Sequence, residues 1–429
     1  MLWLMYVRNK STKADLMKIA VISDLHIGEY ARGKDFTPND SEHSIINDYT
    51  SPFREHFQGD NYKCDVLLVA GDITNCANNE EFELASLKIK ELADILRVPY
   101  DAIFITPGNH DSNWNMGKTI KEQGVSDEQE IRDARYQLFN NNSFIKGLLS
   151  QATFGKFHIS PYFVLWCTEQ VAVLSFNSSA NDNDEKKIHN GELSTESIRL
   201  VREELDKHKD LLEGKTKILL FHHHPLNYQE KTFPDADYSI MSNSDALIEL
   251  AAEYCFDFLV HGHKHIPRYR HLVTDARHPM NILCAGSFVS RLDDRWFDDV
   301  GNAFHIIEID QKCSDHLIPQ GRILSWSHFV QHGWIKNDST RDSIPHESRF
   351  GSSYNRNTLE SKLKCIINDR FLNSSHIKWS DIITDDVGIR YCSSIVLTMV
   401  LKKLETEIGF TTYSEPEIIL LKKEEASNG

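Results

Sequence analysis

Asp65-Val66-Leu67-Leu68-Val69-Ala70-Gly71-Asp72 is a buried strand with a carboxylate at its tip. Its apolar core shows no polar alternation, so it reads as a strand covered on both faces. Gly71 then lets another backbone come close, and Asp72 emerges where the strand ends. The same design recurs in both directions along the chain. Residues 18–23 run into Asp24-Leu25-His26, and residues 102–106 lead to Gly108-Asn109-His110-Asp111. Residues 217–221 run into His222-His223-His224-Pro225, and residues 256–260 lead to Gly262-His263-Lys264-His265. Any one of these motifs arises by chance. Five in this order, each after a predicted strand, supply the His, Asp and Asn ligands of a two-metal hydrolytic site.

Helical stretches alternate with the strands, which makes the chain α/β. Residues 80–96 carry an apolar side, with Asn78 or Asn79 as cap and acidic residues in the first turn. Residues 194–212 and 245–254 repeat the pattern, and residues 171–176 form a further apolar strand. After His265 the pattern turns to strands at 281–285, 303–309 and 322–329, which suggests that a second sheet is completed there. Residues 337–357 are polar and read as a linker or long surface loop. One helix is predicted beyond it, over 389–408, packing on the core in preference to serving as a partner-binding module. The expected organisation is an extension at 1–16, dispensable or a mis-called start, a catalytic domain at 17–330 and a C-terminal linker with a partly helical segment at 331–429.

Composition narrows the function. The 429 residues are 40% hydrophobic and 26% charged, ample for a core. A net charge of -16 argues against holding nucleic acid through the overall field. It leaves a nucleotide substrate open, because bound cations reverse the local sign. The eight cysteines contain no C-x-x-C pair and read as reduced thiols of a cytoplasmic protein. The apolar opening is too short for a signal segment, and no run reaches the ~18 apolar residues of a membrane span.

Each motif has a chemical reading. Residues two apart on a strand point the same way, so Asp24 and His26 converge on one cation. Asp72 has two oxygens and bridges two cations. Asn109 offers a neutral oxygen. His110 serves as proton donor or anion stabiliser, with Asp111 fixing its tautomer. At most one or two of His222, His223 and His224 bind metal. His263 and His265 offer two imidazoles, while His261 reads as a strand-end residue. The set lacks thiolate, and it suits Mn, Fe, Zn, Co or Ni better than Ca or Mg. Two such ions ~3.5–4 Å apart activate a bridging hydroxide for attack at phosphorus.

The series D-x-H, G-D, G-N-H-D, H-H-P and G-H-x-H resembles the calcineurin-like metallophosphoesterase superfamily over residues 18–329. The resemblance implies a two-sheet α/β/β/α sandwich with a C-terminal extension, and two divalent metal ions, manganese foremost. It implies Asp24, His26, Asp72 and His265 at the first metal. It implies Asp72, Asn109, His223 and His263 at the second, with His222 as the alternative to His223. His110 would protonate or stabilise the leaving oxygen, and Asp111 would orient it. Gly71-Asp72-Ile73-Thr74-Asn75 departs from the G-D-x-x-D-R-G of phosphoprotein phosphatases and lacks the tyrosine of purple acid phosphatases. It is similar to the bacterial cyclic-nucleotide phosphodiesterase branch. The expected reaction is therefore hydrolysis of a nucleotide-type phosphodiester, with a nuclease acting on nucleic-acid ends as the alternative. A catalytically idle interaction protein is disfavoured, because no ligand is missing. A protein partner would dock through 331–429, and no membrane is involved. Insertions at 29–63, 112–161 and 226–242 would shape specificity. Among their aromatics, Phe36, Tyr49, Trp114, Tyr228 and Phe233, local packing is favoured over base stacking.

Overall fold

A computed structural model describes residues 16–28, 50–156, 162–182, 190–228, 239–274, 278–290, 300–312, 318–329, 332–336, 344–413 and 418–423. Residues 1–15, Phe36, Tyr49 and Phe233 lie outside the described residues.

Three apolar runs form parallel neighbours: β1 (Met17–Ile22), β2 (Val66–Ala70) and β3 (Ile103–Thr106). Between β2 and β3 runs the helix Asn79–Leu96. The Asn78 side chain caps it by accepting from the Glu81 N–H, and Glu80 and Glu81 occupy its positive first turn. Its buried residues include Phe82, Ala85, Ile89, Leu92 and Leu96, which join the core of this sheet.

The second sheet contains β4 (Phe154–Lys156), β5 (Phe163–Cys167), β6 (Val171–Phe176), β7 (Thr216–Leu220), β8 (Phe258–His261), β9 (Arg268–Val273) and β10 (Pro279–Cys284). Their order is β4-β5-β6-β7-β8-β10-β9, with β6, β7, β8 and β10 parallel. Side chains divide between its faces with period two. Val173, Ile218, Leu220, Val260 and Leu283 enter the core shared with the first sheet. Leu174, Leu219, Leu259 and Ile282 enter another, against helices Thr195–Lys207 and Ser244–Glu253.

The chain then returns to the first sheet through β11 (Asn302–Lys312), β12 (Pro319–Phe329), β13 (Gly333–Lys336) and β14 (Glu347–Phe350). β11 lies antiparallel to β1, and β13 and β14 both pair with β12. The strands after His265 thus serve both sheets: β9 and β10 extend the second, and β11–β14 complete the first. Local periodicity marks strands but carries no pairing partner, which is why the sequence reading assigned all of them to a second sheet. The layers run helix, sheet, sheet, helix, which is the expected α/β/β/α sandwich.

Beyond β14 the chain builds a smaller unit with its own core. It comprises helix Arg356–Phe371, β15 (His376–Lys378), helix Trp379–Asp385, helix Ser394–Leu404, β16 (Phe410–Tyr413) and β17 (Ile419–Lys422). The three strands pair β15-β17-β16. Leu359, Leu363, Ile382, Val400, Leu404, Phe410 and Leu420 fill the core. The single helix expected at 389–408 is shorter, and is flanked by a 3-10 turn at Val387–Tyr391 and a π turn at Glu405–Gly409. The helix at Arg356–Phe371 was hidden by composition: its buried residues are only Leu359, Leu363, Ile367 and Phe371. Among the described residues no helix is long and apolar enough to cross a membrane.

Candidate metal centre

The loops after β1 and β2 run alongside each other. Asp24 N donates to Gly71 O (3.0 Å), His26 N to Asp72 O (2.9 Å) and Ile27 N to Ile73 O (3.1 Å). Asp24 and His26 therefore lie past the strand, and its alternation does not align them. They converge because both take left-handed backbone, with φ of 52° and 46°. Asp72 (51°), His263 (72°) and His265 (57°) do the same.

Three groups of ligand atoms result, one of which brings His110 to His26 and Asp72. In the first, His26 Nε2 lies 3.1 Å from His265 Nε2 and 3.8 Å from Asp24 Oδ1, and His265 Nε2 lies 3.2 Å from Asp24 Oδ1. In the second, His222 Nε2 is 3.0 Å from Asp72 Oδ2, and His263 Nδ1 is 3.1 Å from Asn109 Oδ1. Asp72, His222 and His263 offer ligand atoms within 4.8 Å of one another, as do Asp24, His26 and His265. Asp72 Oδ2 joins the clusters, standing 3.7 Å from His26 Nε2. Its other oxygen, Oδ1, accepts from the His110 N–H at 2.8 Å. Close packing explains two glycines. A Cβ on Gly108 would collide with the Asp72 carboxylate, and one on Gly262 with Asp24 and Ser23.

The donor set fits divalent cations. His222 Nδ1 lies 2.8 Å from Ala70 O. A carbonyl only accepts, so Nδ1 carries a hydrogen and Nε2 is the ring nitrogen that faces Asp72. That nitrogen is one of the ligand atoms gathered with Asp72 and His263 within 4.8 Å, where a cation would sit. Burial alone would raise the Asp24 and Asp72 carboxyls. The imidazoles, His265 first for Asp24 and His222 first for Asp72, hold both below the ordinary carboxylate range. Burial pushes His26 down to about 4, keeping it neutral against the pull of Asp24. For His222 burial is outweighed by Asp72, and its value rises to about 10.

His223, expected as the ligand, has its ring 4.4 Å from that of His263. Its Nδ1 lies 2.8 Å from Ser178 Oγ and its Nε2 3.5 Å from Asp182 Oδ2. His222, the alternative, is the member of the triplet that meets Asp72. Asp111 does not meet His110 either. Its carboxylate accepts from Gly108 N (2.9 Å), Thr74 N (2.9 Å) and Thr74 Oγ1 (2.8 Å), bracing the Gly71–Asp72 turn. His110 is fixed instead by Asn75 O, 2.9 Å from its Nδ1, and its ring meets His26 edge-on at 4.6 Å. His261 ends β8 and pairs with Tyr228 Oη at 3.1 Å, as a strand-end residue should. Tyr228 itself is buried under the Arg270 guanidinium, and the half-buried Trp114 lies under that of Arg135 at 4.5 Å. Sequence reading missed Ser178, although it follows β6 just as each motif follows a strand. It also missed Ser287 and Ser290, whose hydroxyls donate to Asp24 O at 2.9 and 3.1 Å.

The family model described as Calcineurin-like phosphoesterase matches residues 17–267, more than half of the chain. A second, wHTH-Calcineurin_assc, matches residues 348–406. A probable glycerophosphodiester phosphodiesterase GpdQ of Arcobacter nitrofigilis is 32% identical over 90 residues. That alignment covers 20% of this chain and only 30% of the relative's length. Among solved structures, the purple acid phosphatase PPD1 of yellow lupin (Lupinus luteus) aligns at TM-score 0.40 and 12% identity, over 77% of this chain and 56% of that one. GAP50 of Plasmodium aligns at 0.38 and 13%, over 74% and 86%. The chain belongs to the calcineurin-like phosphoesterase family.

Proposed function

We propose that this chain is a dinuclear metal-dependent phosphodiesterase acting on nucleotide-type substrates. The observation that carries the reading is the placement of Asp72 Oδ2, 3.7 Å from His26 Nε2 and 3.0 Å from His222 Nε2. One carboxylate oxygen shared by two clusters is what a pair of cations needs. Asp24, His26, Asp72 and His265 would hold the first ion, and Asp72, Asn109, His222 and His263 the second. Bound there, the ions would supply an activated water and clamp the phosphoryl oxygens. Manganese is the first choice, ahead of iron, zinc, cobalt and nickel.

The protein's own residues do the rest. The Ala70 carbonyl orients the His222 ring by accepting from its Nδ1, and the His110 backbone N–H holds the Asp72 carboxylate in place. Asn75 O fixes His110 with hydrogen on Nδ1, so a second proton on Nε2 is the one available to the leaving oxygen. The partial likeness to a probable glycerophosphodiester phosphodiesterase supports a diester over a monoester.

A nuclease is the second reading, favoured by the winged-helix match at residues 348–406. Against it, the helix Ser394–Leu404 exposes Ile395 and Met399, and its Lys403 is paired with Glu360. Phosphate binding needs clustered free cations, and Lys402 is the other lysine of that helix. We also propose that the catalytic unit runs to about residue 351, because β13 and β14 belong to its sheet.

The test is Mn-supplemented hydrolysis of an aryl phosphodiester beside the matching monoester, with Asp72→Ala as control. Diester turnover abolished in the variant supports the reading. Preference for the monoester would move the assignment to a phosphatase.

A further inference from the structure

Helix Trp114–Glu122, which follows Gly108-Asn109-His110-Asp111, packs on helix Glu128–Arg135 and shares with it a cavity of about 190 Å3. The Asn113 N–H donates to Arg135 O at 2.9 Å and ties the start of one helix to the end of the other. Lys118, Lys121, Arg132 and Arg135 line the cavity, with Glu128 and Asp182 as its acidic residues. Four cations against two carboxylates reverse the sign locally in a chain of net charge -16.

The two guanidiniums carry the argument. Arg135 is buried, with 4% exposure. Its Nη1 donates to Asp182 O at 2.6 Å and its Nη2 to Ala180 O at 2.8 Å, while its other face covers the Trp114 ring. Arg132 Nη1 donates to Asn181 Oδ1 at 3.0 Å. All of these partners are neutral. Among the described residues neither guanidinium forms an ion pair, and the buried Nε of each has no hydrogen-bond partner. The two acids do not neutralise them. Asp182 Oδ1 accepts from Gly191 N at 3.1 Å, and its Oδ2 stands 3.5 Å from His223 Nε2, on the side of the metal centre. Glu128 is exposed in the positive first turn of its own helix. A buried cation without a counter-charge is costly, and an oxyanion in the cavity would supply that charge.

We infer that this cavity is a binding site for a phosphate monoester group, held between Arg132, Arg135 and Lys121. Burial falls from Arg135 through Arg132 to Lys121, so the cations line a way in from solvent. A phosphate dianion presents three terminal oxygens and suits planar guanidiniums better than a lone carboxylate does. The cavity has the volume of about six waters, which admits a sugar-sized group attached to the phosphate. It also borders the metal centre, since Asp182 lines it and meets His223, whose ring is 4.4 Å from that of His263. The phosphate has two sources: the non-scissile end of the substrate, which rests on the diesterase reading, or a separate phosphorylated molecule, which does not.

The experiment is calorimetric titration of the full chain with ribose 5-phosphate, for wild type, Arg132→Gln and Lys121→Gln. Neither residue belongs to the metal centre, so the difference between the proteins reports the cavity whether or not the diesterase reading stands. Arg132→Gln should weaken binding at least about tenfold. Lys121→Gln, an exposed change that leaves the fold intact, should weaken it about threefold or more. No saturable binding by the wild type, or one affinity in all three proteins, overturns the inference. A second arm separates the sources: turnover of an aryl phosphodiester with a terminal phosphate, beside the same diester without it. A wild-type preference of about tenfold in kcat/KM, lost in Arg132→Gln with the plain diester unaffected, assigns the phosphate to the substrate. Equal turnover of the two diesters, with binding still dependent on Arg132, assigns it to a separate molecule.

Discussion

Asp24, His26, Asp72, His263 and His265 all sit in left-handed backbone, each at a cost of about 1–2 kcal/mol. Asp and His tolerate that region better than most residues, which lets these loops turn five ligand atoms toward one point. The motif residues were legible in the sequence, but the reason offered for the convergence of Asp24 and His26, strand alternation, was not the operative one. The same local detail separates His222 from His223. Nothing in a run of three histidines says which imidazole has its Nδ1 on Ala70 O and its Nε2 toward Asp72. His222→Ala should lower diester turnover by at least about 100-fold and remove one equivalent of metal. His223→Ala should keep both ions, and metal analysis giving the reverse pattern would return the ligand role to His223. Asp111→Asn should act through the turn it braces. Two of its bonds are accepted from backbone N–H groups at 2.9 Å, so the amide loses acceptor strength there. The expected loss is about 1–3 kcal/mol of stability in denaturant melts, with the midpoints of the pH–rate profile unchanged.

At the scale of elements, strands were the most readable feature because a strand buried on both faces is written as an unbroken apolar run. β2, β6 and β7 fall within a residue or so of where the sequence puts them. Pairing was not readable: β11 joins β1 across nearly the whole catalytic unit, and no local pattern encodes that partner. Packing does follow from period two. Leu219 points to the helix side of β7 while Ile218 and Leu220 point between the sheets. Leu219→Ala should cost about 2–5 kcal/mol, measured by denaturant unfolding, and leave metal content unchanged because it faces away from the ligands. A loss of bound metal at full stability would contradict that separation.

The whole molecule joins a sandwich to a smaller C-terminal unit, and polar contacts link the two. Tyr391 Oη donates to Asp310 Oδ2 at 3.2 Å, Arg390 lies 3.7 Å from the same oxygen, and Arg349 Nη1 donates to Arg390 O at 3.2 Å. Each unit has its own apolar core. Ending the chain at about residue 351 should therefore spare cleavage of a small aryl diester. Insoluble protein would show that the smaller unit is needed for the fold of the larger. The central claim is that Asp72 is shared between two ions, and metal stoichiometry tests it most directly. Stripped protein titrated with Mn(II), with bound metal counted by inductively coupled plasma mass spectrometry, should take up about two ions per chain. His26→Ala should hold about one and Asp72→Ala fewer than wild type at either position. One ion per wild-type chain, or two retained by Asp72→Ala, would contradict the account.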